Sequence, residues 1–333
     1  MAEAINITGS NYSGDKTSEI ISLAVTNSDT VQKGLVRVET GIQKERQIER
    51  LDVTNFVQKR QATPISKGNI AIDYRSLVPK DMMIYIEMNP RDFEQTWNAE
   101  QLYNSYPKLV DRELTTEYKN AIMSQALKRF GEFLDSQYWI GRIEFDDEGA
   151  NVDPTTKGLL ATDSVYSYFD GFLKKWLDAS NKIAVGSPSA ITKSNIRDKF
   201  SAALKLIPKA LLFKYGNLGL KFLVSYADAQ KYQDALTEDV YKNNNTTEAS
   251  VMKYNAYDIV PVAGMPENTF FLGLASSDMS SNFYLGINDL NDMSLDMQRL
   301  QANSELYFIK GLFKMDVQLG FIEQMVVHTT ITV

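Results

Sequence analysis

Cysteine is absent from the sequence and histidine occurs once, and these two features exclude most kinds of chemical site. Without cysteine the chain has no disulfide, thiolate zinc site, iron–sulfur cluster or cysteine nucleophile. A single histidine, His328, excludes a histidine-rich metal site and leaves one candidate for a histidine general base. The composition therefore leaves carboxylates as the remaining candidate metal ligands, and we predict no cofactor and no metal site.

The sequence also lacks a long apolar run and an excess of positive charge. No stretch of about 18 consecutive apolar residues occurs, so a membrane-spanning helix is not expected. The first residues have neither the basic start nor the apolar run of a secretory signal, so synthesis in a cytosol-like compartment is expected. With 35 Lys and Arg against 42 Asp and Glu, the 333 residues have a net charge of -7, which excludes a basic nucleic-acid-binding surface over the whole chain.

Known catalytic and nucleotide-binding motifs are missing as well. The sequence contains no G-x-x-x-x-G-K-[ST] phosphate loop, no G-x-G-x-x-G dinucleotide turn and no G-x-S-x-G nucleophile elbow. His328 stands in a strand-like run near the C-terminus, where a structural role is expected. Four carboxylates between Asp146 and Asp153 suggest calcium ligands by type, but their spacing differs from that of an EF-hand, which favours a solvated loop. We predict no catalytic residue and no enzymatic activity.

The apolar pattern divides the chain into an arm, a β-rich segment, a long helix and a mixed remainder. Residues 1–33 are polar, with one short apolar turn that predicts a small helix at 20–25. Residues 34–88 contain three runs in which apolar residues alternate, which is typical of strands. An apolar stripe over 111–140 predicts a helix roughly 45 Å long. Further helices are predicted near 165–177, 194–207 and 227–236, and strands at 220–225 and from 257 to the end.

The C-terminal part contains the clearest strand pattern. From Phe313 to Phe321 apolar and polar residues alternate without interruption, which predicts a strand with one buried face. Two similar segments begin at Phe270 and Phe283, and they are predicted to be neighbouring strand ends.

Charge is distributed unevenly, and residues 31–80 are the basic part of an acidic chain. They contain ten Lys or Arg and five Asp or Glu, a net charge of +5, so the remaining residues sum to -12. One interpretation is a solvated hairpin with scattered charge. The other is a protruding basic loop that lies on an acidic neighbour. The candidate inter-subunit contact residues are then Arg46, Arg50, Lys59, Arg60 and Lys67.

The order of these elements resembles the major capsid proteins of tailed bacteriophages, which have the Hong Kong 97-type shell fold. The local match is strongest at residues 257–266, YDIVPVAGMP, where a strand enters a Pro-containing turn before FFLG at 270–273. NFYLGINDL at 282–290 and the closing FIKGLFKMDVQLGF at 308–321 are also similar to that family. The resemblance extends over residues 34–333.

The resemblance implies an α+β, Hong Kong 97-like fold with an N-terminal arm, an extended β-loop, a peripheral domain containing a long spine helix, and an axial domain. The implied boundaries are 1–33 for the arm, 34–88 for the extended β-loop, 89–184 for the peripheral domain with its spine helix at 111–140, 185–275 for the axial domain, and 276–333 for the return strands of the peripheral domain. Some family members cross-link a loop lysine to a neighbour's asparagine. No partner asparagine can be assigned to Lys59 or Lys67.

The resemblance also implies a function. A structural protein of this kind assembles in the host cytoplasm into the hexamers and pentamers of an icosahedral or prolate shell, which encloses the double-stranded DNA genome in the virion. The implied partners are many copies of the same chain, a portal, and packaged DNA bound without sequence specificity, with no membrane partner. A separate scaffolding protein is expected, because the first predicted strand begins close to residue 34.

Three alternatives stay open at this point. An encapsulin-like compartment would keep the fold and enclose a cargo enzyme in place of DNA. A phage tail or baseplate protein would form rings or tubes. An enzyme that uses carboxylates or a bound metal would be a monomer or a small oligomer. The shape and contents of purified particles distinguish these possibilities.

Overall fold

The computed structural model describes residues 11–12, 28–54, 57, 59–60, 69–89, 116–143, 168–186, 188–209, 212, 219–238, 252–288, 294–300 and 306–331. The elements within them, in chain order, are β1 (Asn11–Tyr12), α1 (Asp29–Gln32), β2 (Arg37–Glu39), β3 (Arg46–Thr54), β4 (Asn69–Leu77), β5 (Lys80–Met88), α2 (Thr116–Ile140), α3 (Phe172–Leu177), β6 (Ile183–Ala184), α4 (Ile196–Leu206), β7 (Leu220–Ser225), α5 (Tyr226–Glu238), β8 (Lys253–Tyr254), β9 (Tyr257–Val262), β10 (Phe270–Leu274), β11 (Phe283–Ile287), β12 (Ser294–Arg299), β13 (Tyr307–Leu319) and β14 (Val326–His328). The predicted helix at 20–25, the acidic loop at 146–153 and Lys67 lie outside the described residues.

The first sheet, called the central sheet below, is organised around the long strand β13. Its strand order is β1-β12-β13-β11-β2, and β5 is a further partner of β13. Alternate residues of β13 are buried, among them Ile309, Phe313 and Val317, which confirms the predicted half-buried strand. β11 and β2 run parallel, whereas β13 is antiparallel to β5, β11 and β12.

The long helix α2 covers one face of the central sheet. Phe130 of the helix meets Phe313 of β13 edge to face, with ring centroids 4.7 Å apart. The predicted end of this helix at residue 140 is confirmed, and residues 111–115 of the prediction lie outside the described part of the chain. Near the end of the helix, Trp139 is fully buried, with ring centroids 5.1 Å from Phe172 of α3 and 5.4 Å from Phe271 of β10.

The second sheet has the strand order β6-β14-β10-β7-β9-β8 and packs against α4 and α5. Its core is aromatic: Phe200 of α4 lies 4.5 Å from Phe222 of β7 and 5.1 Å from Phe270 of β10, measured between ring centroids. The predicted strand at 220–225 and the helix after it are confirmed. α4 begins after Asn195 and ends before Pro208, in agreement with the prediction.

The strands that begin at Phe270 and Phe283 have neighbouring ends, as predicted, but they belong to different sheets. β10 lies in the second sheet between β7 and β14, and β11 lies in the central sheet between β13 and β2. Their ends are joined by the hydrogen bond from Asn282 N to Leu274 O, 2.9 Å. Every residue of both strands is buried, so their apolar sequences do not distinguish one sheet from the other.

Among the described strands, five pair across the boundaries that the resemblance implied. β1, within the implied arm, pairs with β12 of the central sheet, and β6, within the implied peripheral domain, pairs with β14 of the second sheet. β2 and β5 lie within 34–88, the implied β-loop, and pair with β11 and β13 of the central sheet. β14 lies within 276–333, the implied return strands, and pairs with β10 and β6 of the second sheet. Within 34–88 the pair β3–β4 forms a sheet of its own, called the ribbon below. The assignment of the two larger sheets to a peripheral and an axial domain stays a prediction.

The two larger sheets share a hydrophobic core. One continuous cluster contains Phe283 and Val317 of the central sheet together with Leu223, Val262 and Phe271 of the second sheet. The ribbon is therefore carried by a body whose two sheets are packed against each other.

In the described parts of the chain, no helix is both long and apolar enough to cross a bilayer.

Candidate functional site

The ribbon is a two-stranded antiparallel sheet whose strands, as far as the chain is described, pair with each other alone. Its register runs from Arg46 opposite Leu77 to Thr54 opposite Asn69. At ~3.4 Å per residue its nine pairs extend roughly 30 Å. Two-stranded sheets of this kind are marginally stable in water on their own. A ribbon of this kind gains stability from contact with another surface.

One face of the ribbon exposes large apolar side chains. Ile72 is 67% exposed and Tyr74 is 59% exposed, and both lie on the same face of β4 because strand residues alternate. Opposite them in the register stand Leu51 and Glu49 of β3. Large apolar side chains that lie together on an exposed face mark a contact surface. This face is the first half of the candidate site.

The second half is the outer face of the central sheet, which is the face opposite α2. Met83 and Tyr85 of β5 are 56% and 45% exposed there. The ring of Tyr85 stacks on Phe308 of β13 with a centroid distance of 6.0 Å. Tyr85 donates a hydrogen bond of 2.6 Å to Glu87, and this bond raises the pKa of Tyr85 above its ordinary value. The patch thus combines apolar area with fixed polar groups, as protein contact surfaces do.

The base of the ribbon is held by charged side chains of the central sheet. Glu39 of β2 forms ion pairs with Arg37, 2.6 Å, and with Arg46 at the start of the ribbon, 2.9 Å. On the other strand, Asp316 of β13 accepts a hydrogen bond from the backbone N of Val78, 3.1 Å. Both carboxylates are largely buried, with side-chain exposures of 10% for Glu39 and 7% for Asp316. The ribbon is thus fixed to the body at both of its strands.

The structure places the predicted contact residues at different positions along the ribbon. Arg46 is half exposed and belongs to the ion pair with Glu39 inside the chain. Arg50 stands opposite Asp73 in the register, and Lys59 and Arg60 are exposed beyond the end of β3. Lys67 lies outside the described residues. Their contact with a second copy of the chain stays a prediction.

His328 is a buried residue of β14, as its strand-like sequence predicts. Its Nε2 lies 2.9 Å from Nζ of Lys199 and 3.0 Å from the carbonyl oxygen of Ser189. Its ring stacks on Phe270 at 5.5 Å. Burial, together with the positive charge of Lys199, lowers the pKa of His328 below its ordinary value. These contacts belong to the packing of the second sheet against α4 and the segment that precedes it.

The described residues contain no group of three or more His, Asp or Glu side chains arranged to hold a metal ion. The acidic loop for which calcium was considered lies outside them. The apolar surfaces at Ile72 and Tyr74 and at Met83 and Tyr85 were missed by the sequence reasoning. The alternation that predicts their strands was visible, but alternation does not show which of the two faces is left uncovered.

The chain is similar in fold to chains from solved structures of capsid particles. A chain of the satellite phage P4 procapsid, which includes the size determination protein Sid, has a TM-score of 0.55 and 10% identity, and the match covers 95% of this chain and 100% of that one. The capsid of the native GTA particle has a TM-score of 0.52 and 9% identity, covering 98% and 93%. The capsid of the empty GTA particle has a TM-score of 0.53 and 11% identity, covering 98% and 93%.

No family model matches the sequence, and no curated protein does. The similarity is therefore one of fold, and it extends over nearly the whole chain. The expected resemblance to phage capsid proteins is confirmed at this level. The chain has the mixed α+β fold of the Hong Kong 97-like capsid proteins.

Proposed function

We propose that this chain is a major capsid protein, many copies of which build the closed shell that encloses the double-stranded DNA genome of a tailed phage. The observation that carries the proposal is the ribbon, a marginally stable element with Ile72 and Tyr74 exposed on one face. The fold supports it, because the solved structures of similar fold are capsids. The proposed role is structural and not enzymatic.

The ribbon lies, in this proposal, across the outer face of the central sheet of a neighbouring copy. Ile72 and Tyr74 of one copy then cover the patch at Met83 and Tyr85 of the next. A contact between two different surfaces of the same chain propagates from copy to copy and closes into rings when the rotation allows it. Hexamers and pentamers are such rings.

Charge supports the same arrangement. The segment 31–80 carries a net charge of +5 and the rest of the chain carries -12, so a contact between the ribbon and the rest of a neighbouring copy joins segments of opposite net charge. Charge complementarity of this kind contributes to steering and register more than to affinity. In this proposal Arg46, Arg50, Lys59, Arg60 and Lys67 supply the positive side of the contact.

The size of the ribbon limits how strong a single contact is. A face about 30 Å long and about 10 Å wide offers roughly 300 Å², whereas a stable interface buries ~800 Å² on each partner. One ribbon therefore binds weakly, and the stability of the particle comes from many repeated contacts. Weak individual contacts also allow misplaced copies to dissociate before the shell closes.

The remaining partners follow from the role of the shell. In this proposal residues 1–33 form the arm, and β1 of the arm adds to the central sheet. The central sheet with α2 forms the peripheral domain, and the second sheet with α4 and α5 forms the axial domain. A scaffolding protein and a portal act during assembly in the host cytoplasm, and the mature protein resides in the virion. The overall charge of -7 lets the shell enclose DNA without adhering to it or reading its sequence.

Negative-stain electron microscopy of the purified full-length chain tests the proposal. Closed shells of hexamers and pentamers, with nuclease-protected DNA in particles from infected cells, are the expected result. Shells that contain a co-purifying enzyme in place of DNA would identify an encapsulin-like compartment, and open tubes or rings would identify a tail component. A compact monomer at high protein concentration would overturn the assembly role altogether.

A further inference from the structure

The ribbon leaves the central sheet at Gly286 of β11. Because this residue has no side chain, it leaves a gap in the strand, called the notch. Ile42, just before β3, is 3% exposed, and Leu77, the last residue of β4, is fully buried. Both pack on Gly286. A Cβ atom added to Gly286 would lie 2.8 Å from Cγ of Leu77 and 2.9 Å from Cδ1 of Ile42. Non-bonded carbon atoms prefer about 3.5–4.0 Å, so a glycine is required for both side chains to occupy the notch.

The strand β4 is held a second time directly after Leu77. Oδ2 of Asp316 accepts the hydrogen bond from Val78 N, 3.1 Å, while its Oδ1 lies 2.9 Å from Nζ of Lys175 on α3. Gln318, which lies on β13 together with Asp316, donates a hydrogen bond of 2.6 Å to the carbonyl oxygen of Ser76. Burial raises the pKa of the Asp316 carboxyl, and the charge of Lys175 opposes this shift. Three consecutive residues at the ribbon's exit are therefore fixed to the central sheet.

The strand β3 is held where the chain turns into it. Gly41 has φ +75°, a left-handed conformation that suits glycine, and it precedes Ile42. The backbone N of Ile42 donates a hydrogen bond of 3.3 Å to the carbonyl oxygen of Ile287. The ion pair between Glu39 and Arg46 closes this turn from the other side. At the base of the ribbon, both strands are thus fixed to the body by packing, hydrogen bonds and an ion pair.

We propose that Gly286, Ile42, Leu77 and Asp316 are positioning residues, which fix the direction in which the ribbon leaves its own subunit and so determine which surface of the neighbouring copy it reaches. This inference rests on the proposed function. The ribbon acts as a lever: a rotation of about 10° at its base moves the far end of a ~30 Å ribbon by about 5 Å, which is roughly one strand spacing. A small change in the notch therefore changes the register of the contact between copies.

The absence of cysteine makes the direction of the ribbon measurable. Cysteines introduced by Glu49→Cys on the ribbon and by Lys128→Cys on the exposed side of α2 would be the only thiols in the protein, because the natural sequence has no cysteine. Both positions therefore accept spin labels without competing sites. The distance between the two labels is measured by pulsed electron spin resonance, with labelled chains diluted into unlabelled wild-type chain so that each distance arises within one copy.

Gly286→Ala and Asp316→Asn are the test variants. Gly273→Ala is the matched control, because Gly273 is a buried strand glycine of β10 in the second sheet, away from the notch. A Cβ atom added there would lie 3.3 Å from Cβ of Met325, so the control also adds a methyl group to a packed strand.

We expect a narrow distance distribution in the parent chain and in Gly273→Ala, and a shifted or broadened one in both test variants. Unchanged distributions in both test variants would overturn the inference. If Gly286→Ala does not fold, Asp316→Asn decides the outcome in the same way.

Shell diameters measured by electron microscopy separate this inference from the proposed function. Test variants that fold and assemble into shells of altered or mixed diameter, beside uniform shells of the parent and of Gly273→Ala, support it. Parent-like shells from variants whose ribbons have moved would overturn the link between ribbon direction and the choice of contact. Failure of the parent chain itself to form shells would count against the proposed function, while the label distances would still test whether the notch sets the direction.

Discussion

At the scale of single residues, Asp135 of α2 holds the short helix α1 against the body. Its carboxylate accepts hydrogen bonds from the backbone N of Asp29, 2.7 Å, and of Thr30, 3.0 Å, at the start of α1. Trp139, one turn further along α2, donates a hydrogen bond of 3.1 Å to the Thr30 hydroxyl. Burial raises the pKa of Asp135 above its ordinary value. A four-residue helix that is too short to be stable alone is thus held by tertiary contacts.

Replacement of Asp135 by Ala is expected to lower the free energy of unfolding by about 1–3 kcal/mol, because two backbone N–H groups lose their acceptor. Urea-induced unfolding of the subunit measures the change. The matched control is Glu132→Ala, an exposed position on the same helix, which is expected to change the free energy by less than about 0.5 kcal/mol. Equal effects of the two substitutions would contradict the role assigned to Asp135.

His328 is expected to make the stability of the second sheet depend on pH. The groups that face it are Lys199 of α4, Phe270 of β10 and the carbonyl oxygens of Val185 and Ser189, with Asp228 of α5 exerting a weaker attraction. Its pKa in the folded chain is lower than the ordinary 6.5, so the unfolded chain binds the proton more readily. The stabilisation is therefore complete above pH 6.5 and is lost as the pH falls from there through the folded pKa.

The prediction is that acidification from about pH 7.5 to about pH 5.5 destabilises the parent chain more than the His328→Gln variant, because glutamine does not take up a proton. Chemical unfolding of both chains at the two pH values measures the difference. Carboxylates elsewhere contribute equally to both chains and cancel in the comparison. Parallel pH profiles would show that His328 is not the source of the dependence.

The exposed side chains Ile72 and Tyr74 are expected to matter for association and not for folding. The double substitution Ile72→Ser and Tyr74→Ser removes apolar area worth about 1.5–3 kcal/mol for each large side chain that becomes buried. The protein concentration required for assembly should therefore rise at least about tenfold. Light scattering against concentration measures this threshold, and Asp73→Ser, on the other face of the same strand, is the control. A threshold unchanged by the double substitution would remove this face from the contact.

At the scale of the elements, the ribbon is separable from the hydrophobic core. Between Ile42 and Leu77, no described side chain belongs to the buried apolar core. The alternation of apolar and polar residues predicted strands throughout 34–88. In the structure β2 and β5 pair with strands of the central sheet, whereas β3 and β4 pair with each other in the ribbon. The difference lies in the partners, β11 and β13, which stand about 200 or more positions away in the sequence.

Deletion of residues 50–70 is expected to leave a soluble, folded subunit that no longer forms stable shells. Glu49 and Tyr74 stay paired, and residues 71–73 close a short hairpin in place of the long ribbon. Circular dichroism and thermal unfolding should resemble those of the full chain, while electron microscopy should show no stable shells. Normal shells from this variant would contradict the proposed role of the ribbon.

At the scale of the whole molecule, the two larger sheets are expected to unfold as one unit, because they share a core. Phe271 of the second sheet packs on Trp139 of α2 at 5.4 Å and on Phe283 of the central sheet at 6.0 Å. Its replacement by Ala should cost about 3–5 kcal/mol. Amide hydrogen exchange should then show reduced protection in β13 as well as in β10. Reduced protection confined to the second sheet would indicate two independent units.

The sequence alone determined the local structure and the exclusions. The lack of cysteine, the end of α2 at residue 140, the strand at 220–225 and the half-buried strand β13 all follow from composition or from the spacing of apolar residues. These features depend on neighbours in the chain, which the spacing reports directly. The order of the elements also sufficed to indicate the capsid fold.

Only the tertiary structure decided which strands became partners and which faces stayed exposed. β10 and β11 have equally apolar sequences, and their separation into two sheets depends on contacts with β7, β14, β13 and β2. The notch at Gly286 arises because Ile42 and Leu77, far from it in sequence, pack on the same point. Spacing along a chain specifies the face on which a side chain lies, but the surface that covers this face is set by packing between distant segments.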